Sequence, residues 1–139
     1  MIDRGKDMQN RIVVRYQDGR LLKGITTDFI AGKEAFHVTE TASPSAKPVE
    51  VQVSKLKAVF FVKDLLGNAH HKERLDFDPS KPAPGRKIFV QFKDGERIVG
   101  LTQGYKPGRD GFFLVPADPL SNNERIYVVT SSTQEIKFL

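Results

Sequence analysis

One ten-residue pattern occurs twice in this chain, as RYQDGRLLKG at residues 15–24 and as QFKDGERIVG at residues 91–100. The two Asp-Gly pairs lie 76 residues apart, and the same offset aligns Gly24 with Gly100. This spacing is longer than the roughly 20–50 residues of a solenoid repeat. The sequence therefore predicts two tandem copies of one small domain, related by internal duplication.

Each copy has the pattern of a small β domain. The segments RIVVRYQ and KIFVQFK are rich in β-branched and aromatic residues, and each ends at an Asp-Gly pair, which favours a tight hairpin turn. Gly24 and Gly100 then fall inside the second strand, where a glycine commonly marks a bulge or a sharp bend. Three shorter strands follow in each copy, with one helical turn before the last. We therefore predict an all-β fold of two tandem five-stranded barrels.

Changes in composition along the chain give the predicted domain boundaries. Residues 1–10 are predicted to be an N-terminal tail, residues 11–63 the first barrel, residues 64–85 a linker and residues 86–139 the second barrel. A cluster of Pro and Gly at the end of the linker interrupts regular structure before the second copy. Because a barrel of this size buries little surface alone, we expect the two barrels to pack together.

Composition narrows the chemistry that the chain can perform. There is no Cys, so disulfide and thiolate chemistry are excluded, and with only three His a zinc site is poorly supplied. We predict no metal site and no cofactor. No segment matches G-x-S-x-G, a phosphate-binding loop or the glycine motif of dinucleotide-binding folds. Carboxylates are plentiful but scattered, so the sequence leaves paired acid–base catalysis on a barrel scaffold open as a weaker alternative without indicating it. We therefore predict that the protein is not an enzyme.

The charge and hydropathy of the chain indicate which partners it can attract and where in the cell it is expected. The net charge of +5 favours weak attraction to nucleic acid or to acidic partners, although Lys and Arg are scattered rather than clustered. The N-terminal segment has no apolar signal-peptide core, and the longest apolar run, AVFFV, is too short to span a bilayer. We therefore predict a cytoplasmic protein with no membrane span, and the sequence leaves its oligomeric state open.

Two loops of the second copy carry the candidate binding residues. PADPLSNNERIY, at residues 116–127, combines stiffening Pro with polar side chains that can hold a ligand or partner, and its candidates are Asn122, Asn123 and Arg125. KPGRDG, at residues 106–111, places cations beside glycine amides that can meet an anion. Its candidates are Lys106, Arg109 and Asp110. The alternative for both loops is an ordinary solvated turn.

The segment KDGERIVGLTQGY, at residues 93–105, resembles the first sequence motif of Sm proteins, with a turn Gly and a bend Gly five residues later. The resemblance implies an SH3-like or Sm-like small barrel and offers RNA binding as an alternative function. The residues that hold uridine in the Sm family do not carry over. Lys106 stands where that family has Asp, and Asp110 stands where it has Asn.

A second resemblance covers nearly the whole chain. The segments VRYQDGRLLKG, KLKAVFFVKDLLGN, FKDGERIVGLTQGY and GFFLVPADPLSNNERIYVV resemble a bacterial domain of unknown function that occurs alone or beside PilZ domains, which bind cyclic di-GMP. This resemblance implies a regulatory, non-catalytic role. The PilZ ligand motif is incomplete here, because Arg11 and Arg15 give R-x-x-x-R but no D-x-S-x-x-G follows.

The leading functional prediction is a bacterial regulatory or adaptor module that works by binding. It is expected to recognise a protein partner or a small anionic ligand through its loops, with cyclic di-GMP as one such ligand. The alternative is an Sm-like RNA-binding protein. The dependence of binding on salt concentration distinguishes these two functions, because binding dominated by phosphate contacts weakens steeply as the salt concentration rises.

Overall fold

A computed structural model describes residues 9–41, 46–67, 71–77 and 85–139. Within these ranges the chain forms ten strands and two single turns of 3₁₀ helix, so the all-β prediction is confirmed. The helical turns, Val53–Lys55 and Thr130–Ser132, directly precede the last strand of each half. The strands are β1 (Asn10–Tyr16), β2 (Leu21–Thr26), β3 (Ala35–Val38), β4 (Val49–Gln52), β5 (Leu56–Val62), β6 (Arg86–Phe92), β7 (Arg97–Thr102), β8 (Gly111–Pro116), β9 (Asn123–Val129) and β10 (Thr133–Phe138).

Eight of these strands form one antiparallel sheet in the order β10-β6-β7-β8-β9-β5-β1-β2. β3 and β4 form a separate hairpin, which a single bridge between Ile25 and Thr39 attaches to the end of β2. The two halves are joined where β5 pairs with β9, with Ala58 opposite Val128. Because the hydrogen-bond ladder runs through both halves, two closed five-stranded barrels are not confirmed.

β5 lies between two hydrophobic cores and contributes to both of them. All seven of its residues are buried. Val59 and Phe61 pack in the first core with residues of β1, β3 and β4, whereas Ala58, Phe60 and Val62 pack in the second core with residues of β6 and β8. Successive side chains of a strand point to opposite faces, so a strand that is covered on both faces is mostly apolar, and Lys57 is the one charged residue of β5. This explains the uninterrupted run AVFFV.

β9 is shared between the cores in the same way. Tyr127 and Val129 belong to the first core, although they come from the second half of the chain, while Ile126 and Val128 belong to the second core. Each core therefore contains side chains from both halves. The structure thus gives a physical basis for packing between the halves that is more extensive than a contact between two finished barrels.

Gly24 and Gly100, which we call the bend glycines, lie where one strand passes close to the next. A Cβ added to Gly100 would lie 2.2 Å from the carbonyl oxygen of Val115, and one added to Gly24 would lie 2.3 Å from the carbonyl oxygen of Thr39. Both distances are far shorter than any real contact, so the backbones meet only because these residues lack a side chain. Both glycines lie inside the second strand of their half, as predicted, and each marks a close approach. The pairing of β1 with β2 and of β6 with β7 continues through them without the register shift of a bulge.

The predicted linker is described only in part. Its Pro-rich end, with Pro82 and Pro84, lies outside the described residues. Leu65, near its start, packs against the second core. Among the described residues, no helix has the length and apolar character needed to cross a membrane.

Candidate binding groove

Two adjoining depressions lie where the halves of the chain meet. The first has a volume of about 1000 Å³ and the second a volume of about 730 Å³. They share four lining residues, namely Gly32 from the first half and Arg109, Asp110 and Tyr127 from the second. We call the combined depression the junction groove, and we call its two parts the apolar part and the charged part.

The apolar part opens where β7 and β8 separate. These strands pair only at Gly100 with Pro116 and at Leu101 with Val115. Beyond β7 the chain swings away through residues 103–110 before it returns to β8 at Gly111, which leaves a space beside that strand. The apolar side chains that line this space are Ala31, Leu101, Pro107, Phe112, Phe113 and Val115.

The charged part lies on the side of the β3–β4 hairpin. The charged residues that line it are Lys33, Glu34, Glu50, Arg109 and Asp110. Three of these five are carboxylates, so this end of the groove has a small excess of negative charge. The groove therefore changes along its length from an apolar wall to an acidic end.

An aromatic cluster supports the floor of the groove. Phe29 makes edge-to-face contacts with the rings of Phe36, Phe61, Phe113 and Tyr127, with centroid distances of 5.0 to 6.0 Å. Edge-to-face packing brings the positive edge of one ring to the negative face of another. The cluster joins residues of both halves, so it fixes the two sides of the groove relative to each other.

Arg125, one of the predicted binding residues, lies against this cluster. Its guanidinium group lies 4.3 Å from the ring centroid of Phe61 and 4.8 Å from that of Phe113. At these distances a cation is attracted to the faces of the rings. Arg125 is not among the residues that line the groove. Its position indicates that it stabilises the aromatic cluster from outside.

Tyr127 lies directly over Gly111 at the centre of the groove. A Cβ on Gly111 would approach the Tyr127 ring to 2.6 Å, so only glycine lets this ring lie across β8. Burial raises the pKa of the Tyr127 hydroxyl, and the Gly32 N–H that faces the hydroxyl acts in the opposite direction. The hydroxyl is therefore neutral at physiological pH and can both donate and accept a hydrogen bond.

The loop that carries Lys106, Arg109 and Asp110 is held by its backbone. The carbonyl of Arg109 accepts a hydrogen bond from the Thr130 hydroxyl over 3.1 Å, and the carbonyl of Asp110 accepts one from the Thr130 N–H over 2.8 Å. Arg109 and Asp110 line both parts of the groove, whereas Lys106 lines neither part. The structure thus places two of the three predicted residues of this loop in the groove.

The asparagines of the other predicted loop lie elsewhere. The side chain of Asn122 accepts a hydrogen bond from the Asp64 N–H over 3.1 Å and donates one to the Asp64 carbonyl over 2.8 Å. The Lys63 N–H donates to the Asn122 carbonyl, and the Asn123 N–H donates to the Ser121 hydroxyl. Asn122 therefore uses its amide group to tie this loop to the chain that follows β5, and neither asparagine lines the groove.

A buried carboxylate that sequence reasoning missed organises this second loop. The Asp118 side chain is fully buried, and it accepts hydrogen bonds from the Leu120 N–H, the Arg74 N–H and His71 Nε2 over 2.8 to 2.9 Å. Burial opposes its ionisation, but these donors outweigh burial and lower the pKa of Asp118 to about 2. The described linker segment, residues 71–77, is thereby fastened to the β8–β9 loop.

Glu73 and Ser121 extend the same network. The Ser121 hydroxyl donates to Glu73 Oε1 over 2.6 Å, and burial raises the pKa of Glu73 against the opposing effect of this bond. His71, Glu73 and Asp118 place potential metal-ligand atoms within 4.8 Å of one another. A cation there would have to displace the protein donors that already occupy the Asp118 oxygens. We therefore interpret the cluster as an internal clamp on the linker.

Comparison with known proteins places the chain in a family. A family model described as a family of unknown function, DUF6982, matches residues 8–139. No curated protein and no solved structure matches the chain. The match confirms the resemblance to an uncharacterised domain, and it carries no information on PilZ domains, Sm proteins or SH3-like barrels. Because it covers nearly the whole sequence, the chain belongs to the DUF6982 family of unknown function.

Proposed function

We propose that the protein is a non-catalytic binding module that recognises a protein partner in the junction groove. The observation that carries this proposal is the exposed apolar wall beside β8. Val115 is 50% exposed, and it lines the groove together with Leu101 and Phe113. Contiguous exposed apolar surface, bordered by an Arg and polar groups, is typical of interaction sites.

The lining of the groove supports binding rather than catalysis. Among its described residues there is no His and no Cys, the side chains that most often act as bases and nucleophiles near neutral pH. The Tyr127 hydroxyl is held in its neutral form by a raised pKa. A rigid aromatic floor with a few polar groups suits recognition of a partner surface.

We propose further that the two halves arose by duplication of a five-stranded unit related to SH3-like and Sm-like barrels. Three local features support this origin. In both halves the last strand pairs with the first and the first pairs with the second. Both halves have a helical turn before the last strand. Gly24 and Gly100 also make equivalent close approaches to the following strand. The resemblance to a bacterial domain found beside PilZ domains supports a cytoplasmic, regulatory role.

RNA binding is the alternative function, and the net charge of +5 favours it. A titration with oligouridylate at about 50 and 200 mM salt tests this alternative. Phosphate-dominated binding would weaken by orders of magnitude over this range, as the release of counterions requires.

A parallel calorimetric titration with cyclic di-GMP tests whether the protein binds this small anionic ligand. Saturable binding that tolerates salt would make the protein a receptor for that dinucleotide and would overturn the proposal of a protein partner.

Selection from a random peptide library tests the proposed function directly. The library is panned against the wild type, against Val115→Arg in the groove and against Val49→Arg as the matched control. Val49 is a strand residue of similar exposure, 41%, and it does not line the groove. We expect peptides enriched on the wild type and on Val49→Arg to bind Val115→Arg at least about tenfold more weakly, because a charge then occupies the apolar wall. Failure to enrich any peptide, or equal binding to Val115→Arg, would contradict the proposal.

A further inference from the structure

β8 has an unpaired edge inside the junction groove. The ladder between β7 and β8 contains only two residue pairs, and the last of them joins Leu101 to Val115. The segment of β8 from Gly111 to Leu114 therefore has no partner in β7, although it pairs throughout with β9 on its other side. These four residues give about 13 Å of strand edge, at roughly 3.3 Å per residue.

The hydrogen-bond pattern shows which groups of β8 face the groove. The Thr130 N–H donates to the Asp110 carbonyl just before β8 begins. In an antiparallel ladder, such bonded positions recur at every second residue. Phe112 and Leu114 therefore direct their main-chain groups toward β9. The residues that alternate with them direct theirs to the opposite edge.

Those alternate residues are Gly111 and Phe113. The Thr102 hydroxyl donates to the Phe113 carbonyl over 2.8 Å, which agrees with an outward orientation of that carbonyl. No described residue accepts a hydrogen bond from the N–H of Gly111 or of Phe113. The edge thus offers the N–H groups of Gly111 and Phe113 and the Gly111 carbonyl, and the Phe113 carbonyl keeps one lone pair beside its bond to Thr102. Another extended main chain matches donors and acceptors at this spacing.

The side chains beside this edge share one face of the sheet. Leu101 lies opposite Val115 in the ladder, so both point to the same face, and Phe113 points to that face from two residues earlier in β8. All three line the apolar part of the groove. An added strand would place every second side chain on this apolar face.

The charged part of the groove lies beyond the Gly111 end of β8. Glu34, Glu50 and Asp110 outnumber Lys33 and Arg109 there. A basic side chain therefore complements this end better than an acidic one. In a strand antiparallel to β8, the residues near this end are the C-terminal ones.

We propose that β8 accepts an extended peptide of the partner as an added antiparallel strand, with alternate apolar side chains against Leu101, Phe113 and Val115 and a basic side chain near its C-terminal end beside the carboxylates. This inference rests on the proposed function and specifies the class of ligand. Main-chain hydrogen bonds would supply affinity, and the apolar face with the acidic end would supply specificity.

Backbone methylation of a selected peptide tests strand addition. The probe is the tightest-binding peptide from the library, synthesised with each backbone N–H methylated in turn. Strand addition predicts losses of about tenfold or more at two positions that are separated by one residue, where the peptide N–H groups bond to the Gly111 and Phe113 carbonyls, and smaller losses elsewhere. Equal losses at all positions would overturn strand addition while leaving the proposed function intact. If no peptide is enriched, the proposed function itself fails.

Two further readouts locate the added strand. Amide hydrogen exchange of Gly111 and Phe113 is expected to slow on binding of the probe peptide, and unchanged exchange at both would overturn the proposal.

Glu50→Gln is expected to weaken the binding of a probe with a C-terminal basic residue several-fold. Glu135→Gln is the matched control, because Glu135 is exposed on β10 and lies outside the groove. Equal effects of the two substitutions would contradict the assigned direction.

Discussion

The ammonium group of Lys57 lies 2.6 Å from the carboxylate of Asp94, which joins β5 of the first half to the Asp-Gly turn of the second. Lys57 also donates to Glu96 and lies over the Phe92 ring at 4.7 Å from its centroid. Its side chain is only 9% exposed, whereas its two carboxylate partners are about half-exposed. The buried cation therefore depends on partners that water can also reach.

This asymmetry predicts unequal effects of removing each charge. Replacing both carboxylates, with Asp94→Asn and Glu96→Gln together, leaves the Lys57 charge buried and is expected to lower the free energy of unfolding by about 1–2 kcal/mol, after allowance for solvent screening. Lys57→Met removes the buried charge and keeps a similar side-chain volume, so we expect the free energy of unfolding to change by no more than about 1 kcal/mol. Urea unfolding measures the free energy of unfolding of both variants. A larger loss for Lys57→Met than for the double variant would contradict this account.

The Asp118 clamp predicts a dependence of stability on pH. The pKa of Asp118 in the folded protein is about 2, against an ordinary value of 3.8. A carboxyl group whose folded pKa is lowered stabilises the fold above its unfolded pKa, and this stabilisation is lost as the pH falls from about 4 to about 2. The expected contribution is about 2 kcal/mol, since one pKa unit corresponds to about 1.4 kcal/mol.

Asp118→Asn provides the comparison for this prediction. An amide is not ionised and can no longer accept from Arg74, Leu120 and His71 together, so the variant is expected to be less stable at neutral pH. Its free energy of unfolding is also expected to fall less steeply than that of the wild type between pH 4 and pH 2. Parallel curves for the two proteins in that range would be incompatible with the assigned pKa.

Gly100 tests the close approach of β7 and β8. Gly100→Ala places a methyl group against the Val115 carbonyl, and we expect a loss of about 2–3 kcal/mol in the free energy of unfolding because the backbone has to shift. Gly104→Ala is the matched control, since a Cβ there meets nothing within 4 Å. Thermal unfolding distinguishes the two. Similar midpoints for both variants would refute the close packing at Gly100.

The shared cores predict that neither half folds alone. A fragment of residues 9–63 lacks Tyr127 and Val129 of the first core, and a fragment of residues 86–139 lacks Ala58, Phe60 and Val62 of the second core. We expect both fragments to lack the dispersed amide resonances and cooperative unfolding of the whole chain. Cooperative unfolding of either fragment would show that the halves are independent domains.

Much of the local structure is predictable from the sequence. The segments ahead of the Asp-Gly pairs become β1 and β6, and the bend glycines lie where strands meet, because these features depend on residues that are close in the chain. The pairing of β5 with β9 is not predictable in this way, since it depends on which surfaces of the two halves come together. The uninterrupted apolar run of β5 was its one local signal.

For the candidate site, too, the local features are predictable from the sequence and the long-range contacts are not. Arg109 and Asp110 lie in a turn whose sequence marks it as exposed, and both line the groove. Asn122 is predicted to bind a ligand because its loop is polar. In the structure its amide group hydrogen-bonds to Asp64, which lies 58 residues earlier in the chain, and it does not line the groove. Asp118 was missed because its partners, His71 and Arg74, come from the linker, and no sequence pattern connects them.

Site-specific photo-crosslinking shows whether a partner segment binds in the junction groove. Gln103 lines the groove, and Gln134 is an exposed Gln on β10 outside it. Each is replaced in turn by p-benzoylphenylalanine, and the protein is irradiated with a library-selected peptide. We expect a crosslink from position 103 that Val115→Arg abolishes, and none from position 134. Crosslinking from position 134 alone, or a crosslink from position 103 that persists in Val115→Arg, would contradict binding in the groove.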